Sequence, residues 1–252
     1  MPERRVQPIE SRSGHRPWWR PWAAVLTGFA LTFAAGIATA TVLRSLGHWN
    51  NGFPWERELM VRLHAPLPHA ADDLVVALTW FGTNISLIPA VGLACWWLWA
   101  RCKRPDAAAR LAAVQIGSYL LNPSLKALYE RQRPTMFEHR GEYAFSSYPS
   151  GHAIAMVSVF LTAAVLMHEV RGWRWPYYVF LPVMLASMYS RIYLGVHWPT
   201  DVIAGIVVGG VWLTVTMYAF RDRRPASPEE RRKTRRVDVA AADDRSDTLT
   251  WS

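Results

Sequence analysis

Three short segments of the sequence combine positive charges with histidine, serine and carboxylate side chains. They are Lys126-Ala-Leu-Tyr-Glu-Arg-Gln-Arg133-Pro134, Tyr148-Pro149-Ser150-Gly151-His152 and Ser190-Arg191-Ile-Tyr-Leu-Gly-Val-His197-Trp-Pro-Thr-Asp201. In the first segment, Lys126 and Arg133 are seven residues apart. Because seven residues make two helical turns, this spacing predicts that both cations project from one face of a helix. The same pair is also typical of a helix end from which long basic side chains reach a membrane surface.

The second segment has the composition of an anion site at the start of a helix. Ser150 supplies a capping hydroxyl, and Gly151 leaves the first backbone N–H groups unobstructed. Those N–H groups and the helix dipole attract a negative charge. His152 then lies in the first helical turn, beside the bound anion. An ordinary N-cap followed by an interfacial histidine is the alternative interpretation.

The third segment pairs an imidazole with a carboxylate. Pro199 suits the first position of a helix, which places His197 just before that helix and Asp201 in its first turn. The carboxylate can accept a hydrogen bond from one imidazole nitrogen and leave the other nitrogen as a base or nucleophile. A capping aspartate near an incidental histidine would have the same spacing.

Long apolar runs surround these segments and must position them. The chain has 252 residues, of which 51% are hydrophobic and 14 are tryptophan, and a bilayer core needs roughly 20 apolar residues of helix. Six runs meet or approach that length: 22–43, 74–100 (or 85–100 after a break), 111–125, 153–167, 175–190 and 202–220. We therefore expect an all-α, polytopic membrane bundle of about six transmembrane helices, with the break at Gly82-Thr83-Asn84 and kinks at Pro123 and Pro182. This composition excludes a disordered chain and a disulfide scaffold, and the scattered basic residues argue against nucleic acid as a partner.

The distribution of charge predicts the orientation of the spans. With the N-terminus inside, 20 Lys and Arg residues lie on the inner side and eight on the outer side, which places both termini in the cytoplasm. The predicted organisation is a basic cytoplasmic segment over 1–21, a transmembrane domain over 22–220 and a disordered cytoplasmic tail over 221–252. The basic cluster 231–236 of that tail can bind anionic lipid or remain solvated. Ala38-Thr39-Ala40 resembles a signal-peptidase site, but the preceding run is long for a cleaved leader, so we favour a retained anchor.

Under this topology, all three segments lie at the outer ends of spans. They bring three cations, two histidines, one carboxylate and a helix N-terminus to a single membrane face. Such a set complements a phosphoryl group, whose transfer depends mainly on positioning and on stabilisation of charge. A transporter would place its charges nearer the middle of the membrane, and the intact histidines argue against a silent lipid-binding protein.

Together the three segments resemble the tripartite signature of the type 2 phosphatidic acid phosphatase (PAP2) superfamily. The matching patterns are Lys126-x6-Arg133-Pro134, Pro149-Ser150-Gly151-His152 and Ser190-Arg191-x5-His197-x3-Asp201. This superfamily includes lipid phosphate phosphatases, bacterial undecaprenyl-pyrophosphate phosphatases and soluble vanadium haloperoxidases, and the apolar runs argue against the last group. The resemblance implies a phosphatase that needs neither a metal nor a cofactor.

The resemblance also implies a role for each site residue. His197 would be the nucleophile that forms a phosphohistidine, and Asp201 would orient it. His152 would protonate the leaving oxygen and then activate water as a base. The phosphate oxygens would be held by Lys126, Arg133, Ser150, Gly151 and Arg191.

The expected substrate is a lipid phosphate or pyrophosphate at the outer leaflet of a bacterial inner membrane. Undecaprenyl pyrophosphate fits that location best, and phosphatidylglycerophosphate and phosphatidic acid are the alternatives. A lipid phosphotransferase is a further alternative, because the motifs do not distinguish water from an alcohol acceptor. Membrane lipids are the expected partners, and the sequence does not indicate an oligomeric state.

Overall fold

The computed structural model describes residues 19–64, 69–137 and 146–221. It separates the chain into two compact units, Met1–Ala219 and Phe220–Ser252. Every described helix belongs to the first unit. In the second unit only Phe220 and Arg221 are described. The predicted tail and its basic cluster therefore lie outside the described residues, as does most of the predicted N-terminal segment.

All regular structure among the described residues is helical, which confirms the predicted all-α class. The helices are α1 (Arg20–Ser45), α2 (Pro54–Leu63), α3 (His69–Thr79), α4 (Asn84–Trp96), α5 (Pro105–Leu128), α6 (Gly151–Ala155), α7 (Leu161–Arg171), α8 (Trp175–Tyr193) and α9 (Pro199–Ala219). A 3-10 turn (Trp80–Gly82) precedes α4, and π turns follow α4 (Trp97–Arg101) and α6 (Met156–Phe160).

Length and composition decide which helices can cross a membrane. Among the described residues, three are long and apolar enough: α1, the helix Gly151–Arg171 and α9. The pair Asp73–Gly82 and Asn84–Arg101, bent by 51° at a break, would make a fourth span. This break falls at the predicted Gly82-Thr83-Asn84. Helices α5 and α8 coincide with the two remaining runs and are long enough, but they are less apolar, so six crossings stay a prediction.

Helix α5 buries polar side chains that would otherwise be costly in the interior. Arg110 is 2% exposed and donates a hydrogen bond to Glu169 of α7. Ser118 Oγ lies 2.7 Å from Ser158 Oγ on the π turn after α6. Because buried polar groups are tolerated when they are hydrogen-bonded, these bonds offset the cost of burying Arg110 and Ser118 in the bundle.

Helix α9 packs closely against α5 in the hydrophobic core. The Trp212 ring covers Gly117, where an added Cβ would come within 2.0 Å of the indole. Trp212 Nε1 also donates to the Val114 carbonyl at 3.0 Å. The core around this contact includes Val91, Leu98, Leu111, Leu121, Leu125, Ile154, Val159, Leu166 and Val208.

Two further glycines bring α9 against the helix that begins at Gly151. A Cβ at Gly205 would come within 2.6 Å of the Ser150 carbonyl oxygen. A Cβ at Gly209 would come within 2.8 Å of the Ile154 carbonyl oxygen. The second and third sequence motifs therefore share one close helix–helix interface.

Candidate active site

Ser150 and Gly151 form the N-terminus of α6, as the sequence predicts. Ser150 is the N-cap residue, with φ −72° and ψ 110°, and its backbone N–H donates to the Asp201 carbonyl at 3.0 Å. The predicted capping role of the hydroxyl is wrong, because Ser150 Oγ is buried and has no hydrogen-bond partner among the described residues. Gly151 packs against Asn122, whose carboxamide nitrogen would lie 2.5 Å from an added Cβ.

His152 faces the break between α3 and α4. Its Nε2 lies 3.0 Å from the Thr79 carbonyl and must be the donor, since a carbonyl oxygen only accepts. The ring also lies against Gly82, where a Cβ would come within 2.5 Å of His152 Cδ2. The sequence predicts the break but not that a candidate catalytic histidine packs against it. The break is therefore part of the site.

The first motif does not continue as a helix. Helix α5 ends at Leu128, and Tyr129 is extended, with φ −129° and ψ 101°. Lys126 lies on the last turn of α5, whereas Arg133 lies on the non-helical segment that follows. The prediction that both cations project from one helical face is therefore wrong.

Lys126 and Arg133 nevertheless come together at a shared hydrogen-bond acceptor. Both side chains donate to the Ser146 carbonyl, with Arg133 Nη2 at 3.5 Å. Arg133 Nη1 also donates to the Val196 carbonyl at 2.5 Å, next to the third motif. Arg191 is 6% exposed and lies near the end of α8. The turn away from α5 thus lets Arg133 reach a loop that a continued helix would have missed.

His197 lies in the loop between α8 and α9 and is only 3% exposed. Burial, and then the positive charges of Lys126, Arg191 and Arg133, lower the pKa of His197 well below its ordinary value. This lowered pKa favours the neutral imidazole. A neutral imidazole has the lone pair that a nucleophile or base requires.

Asp201 lies in the first turn of α9, which begins at Pro199 as predicted. Its Oδ2 is 3.7 Å from His197 Nδ1, which is longer than a hydrogen bond. Oδ2 accepts instead from the Trp198 backbone N–H at 2.9 Å, and Oδ1 accepts from Arg131 Nη1 at 2.6 Å. Asp201 therefore caps α9 and faces His197 at once, so its orienting role stays a prediction.

Three buried residues behind Asp201 were not anticipated from the sequence. Arg131, Glu56 and Thr200 are 2%, 0% and 7% exposed and are hydrogen-bonded to one another. Arg131 lies inside the first motif, where sequence reasoning treated it as a spacer. A second arginine two residues before Arg133 was an available signal, whereas nothing local distinguished Glu56 on α2.

The assembled site can bind and attack a phosphoryl group. It combines a buried imidazole of lowered pKa, a second histidine, three cations and a helix N-terminus with the Ser150 hydroxyl, which has no partner among the described residues. Within the described ranges, no three His, Cys, Asp or Glu side chains are grouped so as to hold a metal ion. Metal independence itself stays a prediction.

A protein-family model matches the part of the chain that contains the three motifs. Residues 107–225 match the model of the PAP2 superfamily. An undecaprenyl-diphosphatase of Sulfolobus acidocaldarius is 43% identical over 68 residues, which are 27% of this chain and 30% of that protein. The putative undecaprenyl-diphosphatase YbjG of Escherichia coli is 28% identical over 50% of this chain and 62% of its own length. A lipid A 1-phosphatase of Rhizobium etli is 32% identical over 44% of this chain and 50% of its own length. The chain thus spans between 30% and 62% of these relatives.

Two solved structures share the fold. One is a transmembrane PAP2 type phosphatidylglycerolphosphate phosphatase from Bacillus subtilis, with a TM-score of 0.60 and 22% identity over 82% of this chain and 98% of that one. The other is LpxE from Aquifex aeolicus, with a TM-score of 0.53 and 19% identity over 67% of this chain and 96% of that one. The long apolar helices among the described residues indicate an integral membrane protein.

Proposed function

Because residues 107–225 match the model of the PAP2 superfamily, we propose that this chain is a PAP2-type phosphatase that hydrolyses a lipid phosphate or pyrophosphate through a phosphohistidine at His197. One observation carries the proposal: the His197 imidazole is buried, and the nearby charges of Lys126, Arg191 and Arg133 help to lower its pKa and so favour its neutral form. A neutral nucleophile surrounded by positive charge suits a substrate that brings its own negative charge.

The reaction has two steps, in which protons and bonds balance. First, His197 Nε2 attacks phosphorus, the bond from phosphorus to the leaving oxygen breaks, and protonated His152 donates a proton to that oxygen. Second, water attacks phosphorus, His152 accepts a proton from the water, and the P–N bond breaks to release inorganic phosphate. Asp201 faces Nδ1 and stabilises the positive charge of the ring while the P–N bond exists.

The phosphate oxygens contact the groups that converge beside His197. Lys126, Arg133 and Arg191 supply positive charge, and the Gly151 N–H lies at the start of a helix where anions bind. Ser150 Oγ has no partner among the described residues, which suits a hydrogen bond to the substrate.

The proposed setting is a bacterial inner membrane crossed six times, with both termini in the cytoplasm and the site on the outer face. Undecaprenyl pyrophosphate is the substrate that suits this setting best, and two relatives are named as undecaprenyl-diphosphatases. The lipid A 1-phosphatase relative and the B. subtilis fold neighbour favour testing other lipid phosphates beside it.

Phosphate release by the purified protein tests this proposal. We expect release from undecaprenyl pyrophosphate in excess EDTA, and inhibition by vanadate, which mimics the trigonal-bipyramidal phosphoryl group. The panel includes phosphatidylglycerophosphate, phosphatidic acid and a lipid A 1-phosphate, and the control variant is His197→Asn.

Each other outcome has a distinct meaning. Activity that EDTA abolishes and Mg²⁺ restores would contradict the metal-free mechanism. Phosphoryl transfer to an added lipid alcohol, without free phosphate, would identify a phosphotransferase. Binding of every lipid without turnover would instead favour a transporter or a silent lipid-binding protein.

A further inference from the structure

Arg131 is a buried cation of the first motif, and its side chain is hydrogen-bonded to none of the proposed phosphate-binding residues that the structure describes. Its Nε donates to the Trp49 carbonyl at 2.7 Å, and its Nη1 donates to Thr200 Oγ1 at 2.7 Å and to Asp201 Oδ1 at 2.6 Å. Its guanidinium carbon also lies 5.1 Å from the Trp49 ring centroid and 5.8 Å from that of Trp198. Arg131 is therefore held on several sides and directs one end at Asp201.

Glu56 of α2 is a buried carboxylate that faces Arg131. Its Oε1 accepts from the Thr200 backbone N–H at 2.8 Å and from Thr200 Oγ1 at 2.7 Å. Its Oε2 accepts from the Phe53 N–H at 2.7 Å and lies 3.5 Å from Arg131 Nη2. Glu56 thus joins the start of α2 to the start of α9.

The opposite end of α2 is attached to the other side of the third motif. His64, which caps α2, has Nδ1 2.8 Å from the Tyr193 carbonyl at the end of α8. Helix α2 therefore contacts residues on both sides of the loop that carries His197. A short helix that lies outside the three motifs holds the third motif at two points.

The contacts of Arg131 with Glu56 and with Asp201 depend on one another, because all three charged groups are buried. Asp201 and Glu56 are both fully buried and share one guanidinium. Removing one partner leaves an uncompensated buried charge, which is strongly unfavourable. Both oxygens of Asp201 have fixed donors, Arg131 on Oδ1 and the Trp198 N–H on Oδ2. The rotation of this carboxylate, and with it the approach of Oδ2 to His197, therefore depends on Arg131.

We propose that Arg131 is a positioning residue that orients Asp201 toward His197, and that Glu56 holds Arg131 and Thr200 in place for this purpose. This inference rests on the proposed phosphatase function, because it assigns the residue that orients Asp201, the partner of the proposed nucleophile His197. Neither Arg131 nor Glu56 belongs to the residues that the three motifs assign to the reaction.

Steady-state kinetics of conservative variants test the proposal. Lysine cannot reproduce the planar fork of arginine, so Arg131→Lys should lose about 10²-fold in kcat, as expected when a catalytic group is misplaced by about 1 Å. KM should stay within about twofold, because an interaction that acts only through the nucleophile lowers kcat and not ground-state binding. Glu56→Gln should lose about tenfold in kcat by the same argument.

The same helix offers a matched control. Glu58 is exposed and forms a surface pair with Arg62 at 2.6 Å, so Glu58→Gln should keep wild-type kcat and KM. Thr200→Val removes the hydroxyl that bridges Arg131 and Glu56. If Arg131→Lys does not fold, Thr200→Val tests the same contact. Its kcat should fall with KM unchanged.

A spectroscopic readout separates this inference from the proposed function. In protein labelled with ¹⁵N-histidine, the His197 ring signals, assigned with His197→Asn, should shift in Arg131→Lys, Glu56→Gln and Thr200→Val but not in Glu58→Gln. Wild-type protein that hydrolyses none of the lipids would contradict the proposed function, and the ring signals would still decide the inference. Unshifted signals, or variants with wild-type kcat, would overturn it.

Discussion

At the scale of single residues, the two site histidines differ in how the protein holds them. His152 Nε2 donates to the Thr79 carbonyl, which defines the orientation of its ring. His197 Nδ1 has no hydrogen-bond partner among the described residues and lies 3.7 Å from Asp201. His152 is thus oriented by the Thr79 carbonyl, whereas His197 is held by burial and by a backbone contact with Ser147 that leaves Nδ1 facing Asp201.

Their different roles predict different defects. His197→Ala should eliminate both turnover and the acid-labile phosphoryl-enzyme, because no nucleophile remains. His152→Ala should still become phosphorylated by a substrate with a good leaving group, such as a pyrophosphate, yet release phosphate about 10²-fold more slowly or worse, since water is not activated. Trapping of labelled phosphoryl-enzyme after rapid acid quench, followed by mapping of the site, measures both effects.

His168 provides the control for this experiment. It is exposed and lies near the far end of the same continuous helix as His152, so His168→Ala should behave like the wild type. Phosphate mapped to another residue, or near-normal turnover in His197→Ala, would show the role assignment to be wrong.

At the scale of elements, the site depends on close contact between α9 and the helix from Gly151. A Cβ at Gly209 would come within 2.8 Å of the Ile154 carbonyl oxygen and 3.1 Å of its Cα, whereas nothing lies within 4 Å of a Cβ at Gly210. A backbone atom cannot move away as a flexible side chain can. There is therefore no room for a side chain at Gly209, whereas there is room for one at Gly210.

Alanine at these two positions should have opposite consequences. Gly209→Ala should force the two helices apart, destabilise the protein by about 1–3 kcal/mol and lower kcat as His152 shifts away from the other motifs. Gly210→Ala should change stability by about 1 kcal/mol or less, in the stabilising direction, because alanine favours helix. Thermal unfolding in detergent and initial rates of phosphate release test the pair, and equal effects of the two substitutions would contradict the close contact.

At the scale of the whole molecule, orientation in the membrane determines which leaflet the site serves. The three motifs converge at one end of the bundle, where the ends of α5 and α8 and the start of α9 lie. The positive-inside count predicts that this end faces the outer side of the membrane. A site on that side would require a substrate presented on the outer leaflet.

Cysteine labelling tests this orientation. In a Cys95→Ala/Cys102→Ala background, Ser45→Cys at the end of α1 should react with an impermeant thiol reagent from outside, and Arg171→Cys at the end of α7 should react only after the membrane is opened. Both positions are exposed, so burial would not block the reagent. Labelling of both from the same side would refute the six-span topology and with it the outer placement of the site.

Much of the local structure follows from the sequence because its causes are local. The apolar runs predict the long helices, Pro199 predicts the start of α9, and the break at Gly82-Thr83-Asn84 occurs where those residues interrupt an apolar run. The spacing within each motif likewise predicts which residues carry chemistry, and their roles stay a prediction. Periodicity and caps depend on residues within a few turns of one another, so they can be read along the chain.

Tertiary structure alone decided how those residues meet. Because α5 ends at Leu128, Arg133 lies on the non-helical segment that follows. The hydrogen bond to the Thr79 carbonyl defines the orientation of His152. Glu56 and Thr200 are 144 residues apart, and no local pattern links a carboxylate on a short helix to the start of α9. Such contacts depend on how whole helices pack and on the need to pair buried charges, which the order of residues along the chain does not express.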